Sequence, residues 1–230
     1  RAILAFRYLA NDDDELAWSE WDNTRQLDPA HYALHTTTFG VVPALYAGRL
    51  DRAEDVLSWS FRWLFHWEVY LARGRANFLW WWGAVGAARL ARGERRWSLR
   101  LRVWWACLLL SLQRAPLYVP PGRCLRASRA FASGRSRRGV ELLELAQKDY
   151  ETLGVRLFAA CTSHALAQLH FDPAQRALHA EKARVVFESE KIKRPEKWVR
   201  ALLPGLPLEV RASVEPPVEP TEPTPAHASA

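Results

Sequence analysis

An aspartate and two histidines at spacings of three and four, Asp28, His31 and His35, would share one face of a helix, and a carboxylate with two imidazoles is a donor set for zinc. A complete site needs a further ligand or a bound water, and no motif nearby supplies one. Asp28 also stands directly before Pro29, the N-cap and first-turn signature of a helix start, so its carboxylate already has a structural use. No metal is expected. Gly134 and Gly139 have the four-residue gap of a phosphate loop, but Val140 and Glu141 stand where Lys and Ser or Thr would have to hold phosphate and magnesium. Cys107, Cys124 and Cys161 are too few and too widely spaced for a disulfide framework or a zinc site, and they fit a reducing cytoplasm. His164, His170 and His179 do not share one face and read as surface or packing residues. No nucleophile, base or cofactor loop emerges, and no cofactor is expected.

The residues that remain are of types that bind. Of 12 tryptophans, nine lie between Trp59 and Trp105, and Trp59, Trp63 and Trp67 recur every four residues as a stripe on one helix. Such a stripe serves as core between helices or as an aromatic groove for a partner helix or peptide. From residue 89 to 138 there are 13 arginines against the single acid Glu94. Arg95, Arg96, Arg100 and Arg102 follow one turn signal, and Arg123, Arg126, Arg129, Arg135, Arg137 and Arg138 surround the next. Arginine is rarely buried unpaired, so these ten are expected largely to face solvent as one patch that docks an acidic or phosphorylated protein segment. A nucleic-acid partner is the competing reading, with arginines on phosphates and tryptophans stacked on bases. The two separate on whether Trp and Arg are exposed on the same surface.

The elements that must position these residues are helices. Amphipathic segments rich in Ala, Leu, Arg and Trp fill the chain, Asp172-Pro173 and Arg194-Pro195 repeat the helix-start signature, and no alternating run long enough for a strand appears. The chain of 230 residues is 49% hydrophobic and 25% charged, enough for one ordinary globular unit or two small ones. With no Met anywhere, Arg1 is not a translational start and the chain is expected to be part of a longer reading frame, and the bias to Arg over Lys suggests a GC-rich bacterial gene. The longest apolar runs, Phe78 to Ala88 and Val103 to Leu110, fall short of the roughly 20 residues a membrane span needs.

A register links the segments. Gly48, Gly93 and Gly134 are each followed five residues on by a small residue (Ala53, Ser98, Gly139), eight on by an aliphatic one (Val56, Leu101, Leu142), and preceded three back by an apolar one (Leu45, Leu90, Phe131). Asp172 opens a degenerate fourth copy, with Leu169 before it and Ala177 after. A helical hairpin explains these positions: Gly ends the first helix in the left-handed conformation, and the small residue lets the second approach closely. Hairpins of this kind bury their faces by stacking, which predicts an all-α, antiparallel helical-hairpin solenoid of about four hairpins over 1–203. Ala115 to Arg123, with three prolines and a glycine, is expected to be a loop, and the Pro/Glu-rich 204–230 a disordered tail.

The register resembles the tetratricopeptide repeat. More specifically, His31-Tyr32-Ala33-Leu34 followed by Leu45-Tyr46-Ala47-Gly48, and Arg194-Pro195-Glu196-Lys197-Trp198 running to Leu203-Pro204-Gly205, are similar to the C-terminal helical region of large bacterial serine/threonine protein kinases. In those proteins a kinase domain and an ATPase module precede tetratricopeptide-like repeats. The resemblance covers about residues 12 to 205 by scattered positions, departing at Asp172 and at Trp80 to Trp82. It implies a regulatory, protein-binding module whose partner is another protein or the upstream domains of the same chain. The Gly-rich loop, His-Arg-Asp and Asp-Phe-Gly motifs of a kinase are absent, so this stretch is expected to have no activity of its own. The repeat region of an ATPase-type transcriptional regulator is the related alternative.

Overall fold

The computed structural model describes the backbone of residues 2–27, 29–63, 71–113 and 115–208, with side chains throughout except at 2, 3, 25, 27, 29–36, 63 and 71–73. Among these residues the chain is all-helical. The helices are α1 (Ala2–Ala10), α2 (Asp14–Leu27), α3 (Pro29–Tyr46), α4 (Leu50–Trp63), α5 (Leu71–Ala91), α6 (Trp97–Ser111), α7 (Val119–Ala132), α8 (Ser136–Thr152), α9 (Arg156–Leu169), α10 (Pro173–Ser189) and α11 (Pro195–Leu202), with a 3-10 turn at Pro116–Tyr118. None is long and apolar enough to cross a membrane.

Neighbours pair as α1 with α2, α3 with α4, α5 with α6, α7 with α8 and α9 with α10, and the first members also pack on one another, α1 on α3, α3 on α5 and α5 on α7. The turn glycines work as expected. At Gly48 (φ 74°) the glycine N–H donates to the Leu45 carbonyl at 3.0 Å and the Arg49 N–H to the Ala44 carbonyl at 2.7 Å, which closes the end of α3. Gly93 and Gly134 repeat this geometry, and so do Gly154 between α8 and α9 and Asp12 between α1 and α2, two turns the register did not include. Asp172 does something else. It is extended (φ −80°), and its Oδ1 accepts from the Ala174 N–H at 2.9 Å, so it caps the start of α10 and is not the left-handed stop of α9.

The small positions hold in two copies and fail in two. Ala53 is fully buried, and a Cβ on Gly139 would lie 2.6 Å from the Phe131 ring. Ser98 and Ala177 are exposed, and so is Leu101, the aliphatic register position whose counterparts Val56 and Leu142 are buried. The reason is where each helix starts: α4 and α8 begin two residues after their glycines, whereas Glu94 to Arg96 delay α6 to Trp97, so its buried face opens at Leu99. α10 buries only His179, Ala183 and Phe187. Ala53→Leu is expected to overpack the α3–α4 crossing at a cost of about 1 to 3 kcal/mol, read as a lower urea midpoint; an unchanged midpoint would show that the crossing is looser than it looks.

Two boundaries also move. Most of the expected loop from Ala115 to Arg123 is helical, because Pro120 and Pro121 sit in the first turn of α7, where no N–H is required of them. Pro204 to Leu206 belong to the packed body and not to a tail: Leu206 is buried, the Pro204 carbonyl accepts from Ser128, and a Cβ on Gly205 (φ 89°) would meet the Ala87 backbone at 2.9 Å. Pro207 and Leu208 are described beside them, and residues 209–230 of that segment lie outside the described residues.

The last of the described helices is the least local feature. α11 packs on both α3 and α9. Its Trp198 is buried, stacked on Phe6 at 5.8 Å and edge-on to Tyr46 at 5.6 Å. Asp12 fixes its start, accepting from Lys197 at 2.6 Å, the Tyr46 hydroxyl at 3.0 Å and Arg194 at 3.3 Å. Burial alone would raise the Asp12 carboxyl, but the Lys197 and Tyr46 hydrogen bonds and the Arg194 charge hold it below the usual carboxylate range.

Candidate interaction surface

α6 is apolar on two sides. Leu99, Val103, Ala106, Cys107 and Leu110 face inward against α5 and α7. Trp97, Leu101, Trp104, Trp105, Leu108 and Leu112 recur at three-to-four spacing on the other side and are exposed, Trp97 at 75% and Leu112 at 68%. Trp104 and Trp105 meet edge-to-face at 4.9 Å. A helix apolar all round is normally covered all round, so an open stripe of this length marks a contact surface. Arg95, Arg96 and Arg100 are exposed at its near end.

The ten arginines of the expected patch divide. Arg135, Arg137 and Arg138 are exposed at the α7–α8 turn, Arg138 in a pair with Glu141 at 2.8 Å. Arg102 does not face solvent. Its side chain is 11% exposed, donates to the Trp82 carbonyl, pairs with Glu54 at 2.6 Å and lies over the Trp82 ring at 5.2 Å. Burial lowers its pKa, against the opposing pull of Glu54. Arg123 is half-buried and paired with Asp149. Arg126 donates to the Gly122 carbonyl at 3.2 Å, and Arg126 and Arg129 are near enough to the buried Cys107 thiol to lower its pKa, though burial raises it more. Four of the ten are therefore not free at the surface: α6 and α7 turn Arg102 and Arg123 toward acids and carbonyls of neighbouring helices, while Arg126 and Arg129 are half-buried, Arg126 bonding back to its own helix. The other six, Arg95, Arg96, Arg100, Arg135, Arg137 and Arg138, stay outside.

Most of the described tryptophans are core. Trp21 and Trp81 are fully buried; Trp59 meets Trp21 edge-on at 5.3 Å, Trp80 stacks on Trp81 at 4.3 Å, and the Trp81 indole N–H donates to Thr38 at 2.8 Å. The Trp59 stripe cannot be followed further, since Trp67 and the Trp63 side chain lie outside the described residues, as do Asp28 and the side chains of His31 and His35. Among the described residues no group of three or more His, Cys, Asp or Glu is placed to hold a metal, and the three cysteines are buried and free. His170 and His179, nine residues apart in sequence, do approach, with ring centroids 6.1 Å apart. The α6 stripe itself was missed because its residues were read singly; the signal was two overlapping apolar phases in one helix. Compared with models of protein families, with curated proteins and with solved structures, the chain matches none.

Proposed function

We propose that this chain is a non-catalytic protein-interaction module, a helical-hairpin solenoid from the C-terminal part of a multidomain bacterial serine/threonine protein kinase. Its docking surface is the outer face of α6, and its partner is an acidic amphipathic segment. The observation that carries the reading is the open Trp/Leu stripe framed by Arg95, Arg96 and Arg100, in a stretch with no acid between Glu94 and Glu141. Apolar residues of a partner helix would bury against the stripe while its acids meet the arginines, which is helix-in-groove recognition with electrostatic steering. The repeated left-handed glycine turns support the hairpin part of the reading, and the Arg194-Pro195-Glu196-Lys197-Trp198 ending supports the kinase part.

A second reading keeps one specific support: Trp104, Trp105 and Arg100 are exposed on one helix, as base stacking beside phosphate contacts requires. Leu101, Leu108 and Leu112 favour the peptide, because they offer apolar area and no ring to stack on. The test is titration with an amphipathic peptide, Leu on one face and Glu on the other, and separately with oligo-dT, followed by tryptophan emission. The expected result is a blue shift with the peptide that weakens with salt and drops at least about tenfold in affinity in the Trp104→Ala, Arg100→Glu double variant. Equal binding by native chain and variant would overturn it. A shift with oligo-dT alone would move the assignment to nucleic acid.

A further inference from the structure

A concave surface that no residue of α6 lines lies elsewhere on the molecule. Between α11, the ends of α9 and α10, and the turns after α3 and α5 is a cleft of about 1150 Å³. Arg92, Arg176, Lys193, Arg194 and Arg200 line it, and Glu196 is the one acid among its lining residues. Three of the five cations are engaged at its edges: Arg194 with Asp12 at 3.3 Å, Lys193 with the Asn11 carbonyl at 3.3 Å and Arg92 with the Gly48 carbonyl at 2.7 Å. Arg176 and Arg200 have no acidic partner among the described residues. Arg92 and Arg200 converge over the same turn, since the place a Cβ would take on Gly48 is 3.3 Å from Arg92 Nη2 and 3.9 Å from Arg200 Nη1.

Like charges gathered in a concave wall repel one another and focus a positive potential that only an anion relieves. One carboxylate would leave most of that charge unmatched. The ligand must bring several negative charges within the span of a small-molecule site, and guanidinium forks match phosphate oxygens in geometry as well as charge. The rest of the lining is mixed, with Leu45, Leu50, Leu169 and Val199 beside the polar His164 and Gln168, which leaves room for a group attached to the phosphates.

We propose that this cleft binds a chain of linked phosphates, a di- or triphosphate, either free or carried by a nucleotide. Bound there, the phosphates join Arg92 at the end of α5, Arg176 on α10 and Arg200 on α11, and so hold α11 onto the helix pairs beneath it. This neither needs nor excludes the α6 docking reading, because the two surfaces share no residue.

The experiment is calorimetric titration of the full chain with inorganic triphosphate and, separately, with ATP, both without magnesium and at physiological ionic strength. Saturable binding of at least one is expected, with a rise in Tm at saturation. R176Q and R200Q should each weaken it about tenfold or more, R200K should keep part of it, and R137Q/R138Q at the exposed α7–α8 turn should leave it unchanged. Neither Arg176 nor Arg200 holds an ion pair that the fold uses, so the variants are expected to keep native helicity by circular dichroism. Equal affinity for the two probes would assign a free phosphate chain, and tighter binding of ATP a nucleotide. No saturable binding of either probe would overturn the proposal, as would an R137Q/R138Q variant that weakens as much as R176Q and R200Q.

Discussion

Trp198→Ala is expected to cost about 3 to 5 kcal/mol of stability, the range for removing a large buried aromatic side chain. Trp198 is 1% exposed, between Phe6 of α1 and Tyr46 of α3, and belongs to a helix of only eight residues. So short a helix does not hold itself together in water, and its order comes from this packing. Without the indole, Val199, Leu202 and Leu203 lack the anchor that seats them, and the Asp12 pairs at the head of α11 lose their geometry. Urea unfolding followed by far-UV circular dichroism measures the loss. A midpoint within error of the native value would mean that α11 is seated by something other than Trp198.

Glu54→Ala is expected to cost about 3 kcal/mol, at the low end for breaking a buried ion pair because Glu54 itself is 27% exposed. Glu54 is the acid on which Arg102 depends, and Arg89 also reaches it at 3.3 Å while pairing with Asp51 at 2.7 Å and Glu94 at 2.9 Å. Removal leaves Arg102 with the Trp82 carbonyl and ring but no counter-charge. The double variant Glu54→Ala, Arg102→Met should regain most of the loss, since a shape-filling apolar side chain removes the charge that has to be compensated. Additive losses in the double variant would show that the pair is not coupled and that Arg102 matters only for its packing.

What the sequence makes legible follows from how local each determinant is. Gly48, Gly93 and Gly134 are legible because a left-handed residue at a helix end is a backbone requirement that glycine meets at least cost. The Asp172-Pro173 helix start is legible for a similar reason, although Asp172 was also given a turn role that its extended backbone does not fill. Ser98 and Leu101 were placed wrongly because fixed spacing from a glycine assumes a fixed loop, and Glu94 to Arg96 lengthen it. The fates of Arg102 and Arg123 depend on Glu54 and Asp149, which lie 48 and 26 residues away, so composition could show a basic stretch but not which members would be neutralised within the fold. The seat of α11 is the extreme case. Its helix start is written in Arg194-Pro195, but its contacts with α3 and α9 depend on the path of everything between.

That seat changes the order in which the protein can be made. Helix pairs that touch only their neighbours can settle one after another as they leave the ribosome. Here Asp12 waits for Lys197, synthesised 185 residues later, and Phe6 and Tyr46 wait for Trp198. Until then the nascent chain carries an uncovered aromatic seat on α1 and α3 and an unpaired carboxylate in the turn after α1. α11 thus completes the α1–α2 pair from the far side of the described chain, so a chain truncated before Pro195 would be an assembly intermediate that a chaperone could recognise by its open seat, and degradation of truncated products could begin there.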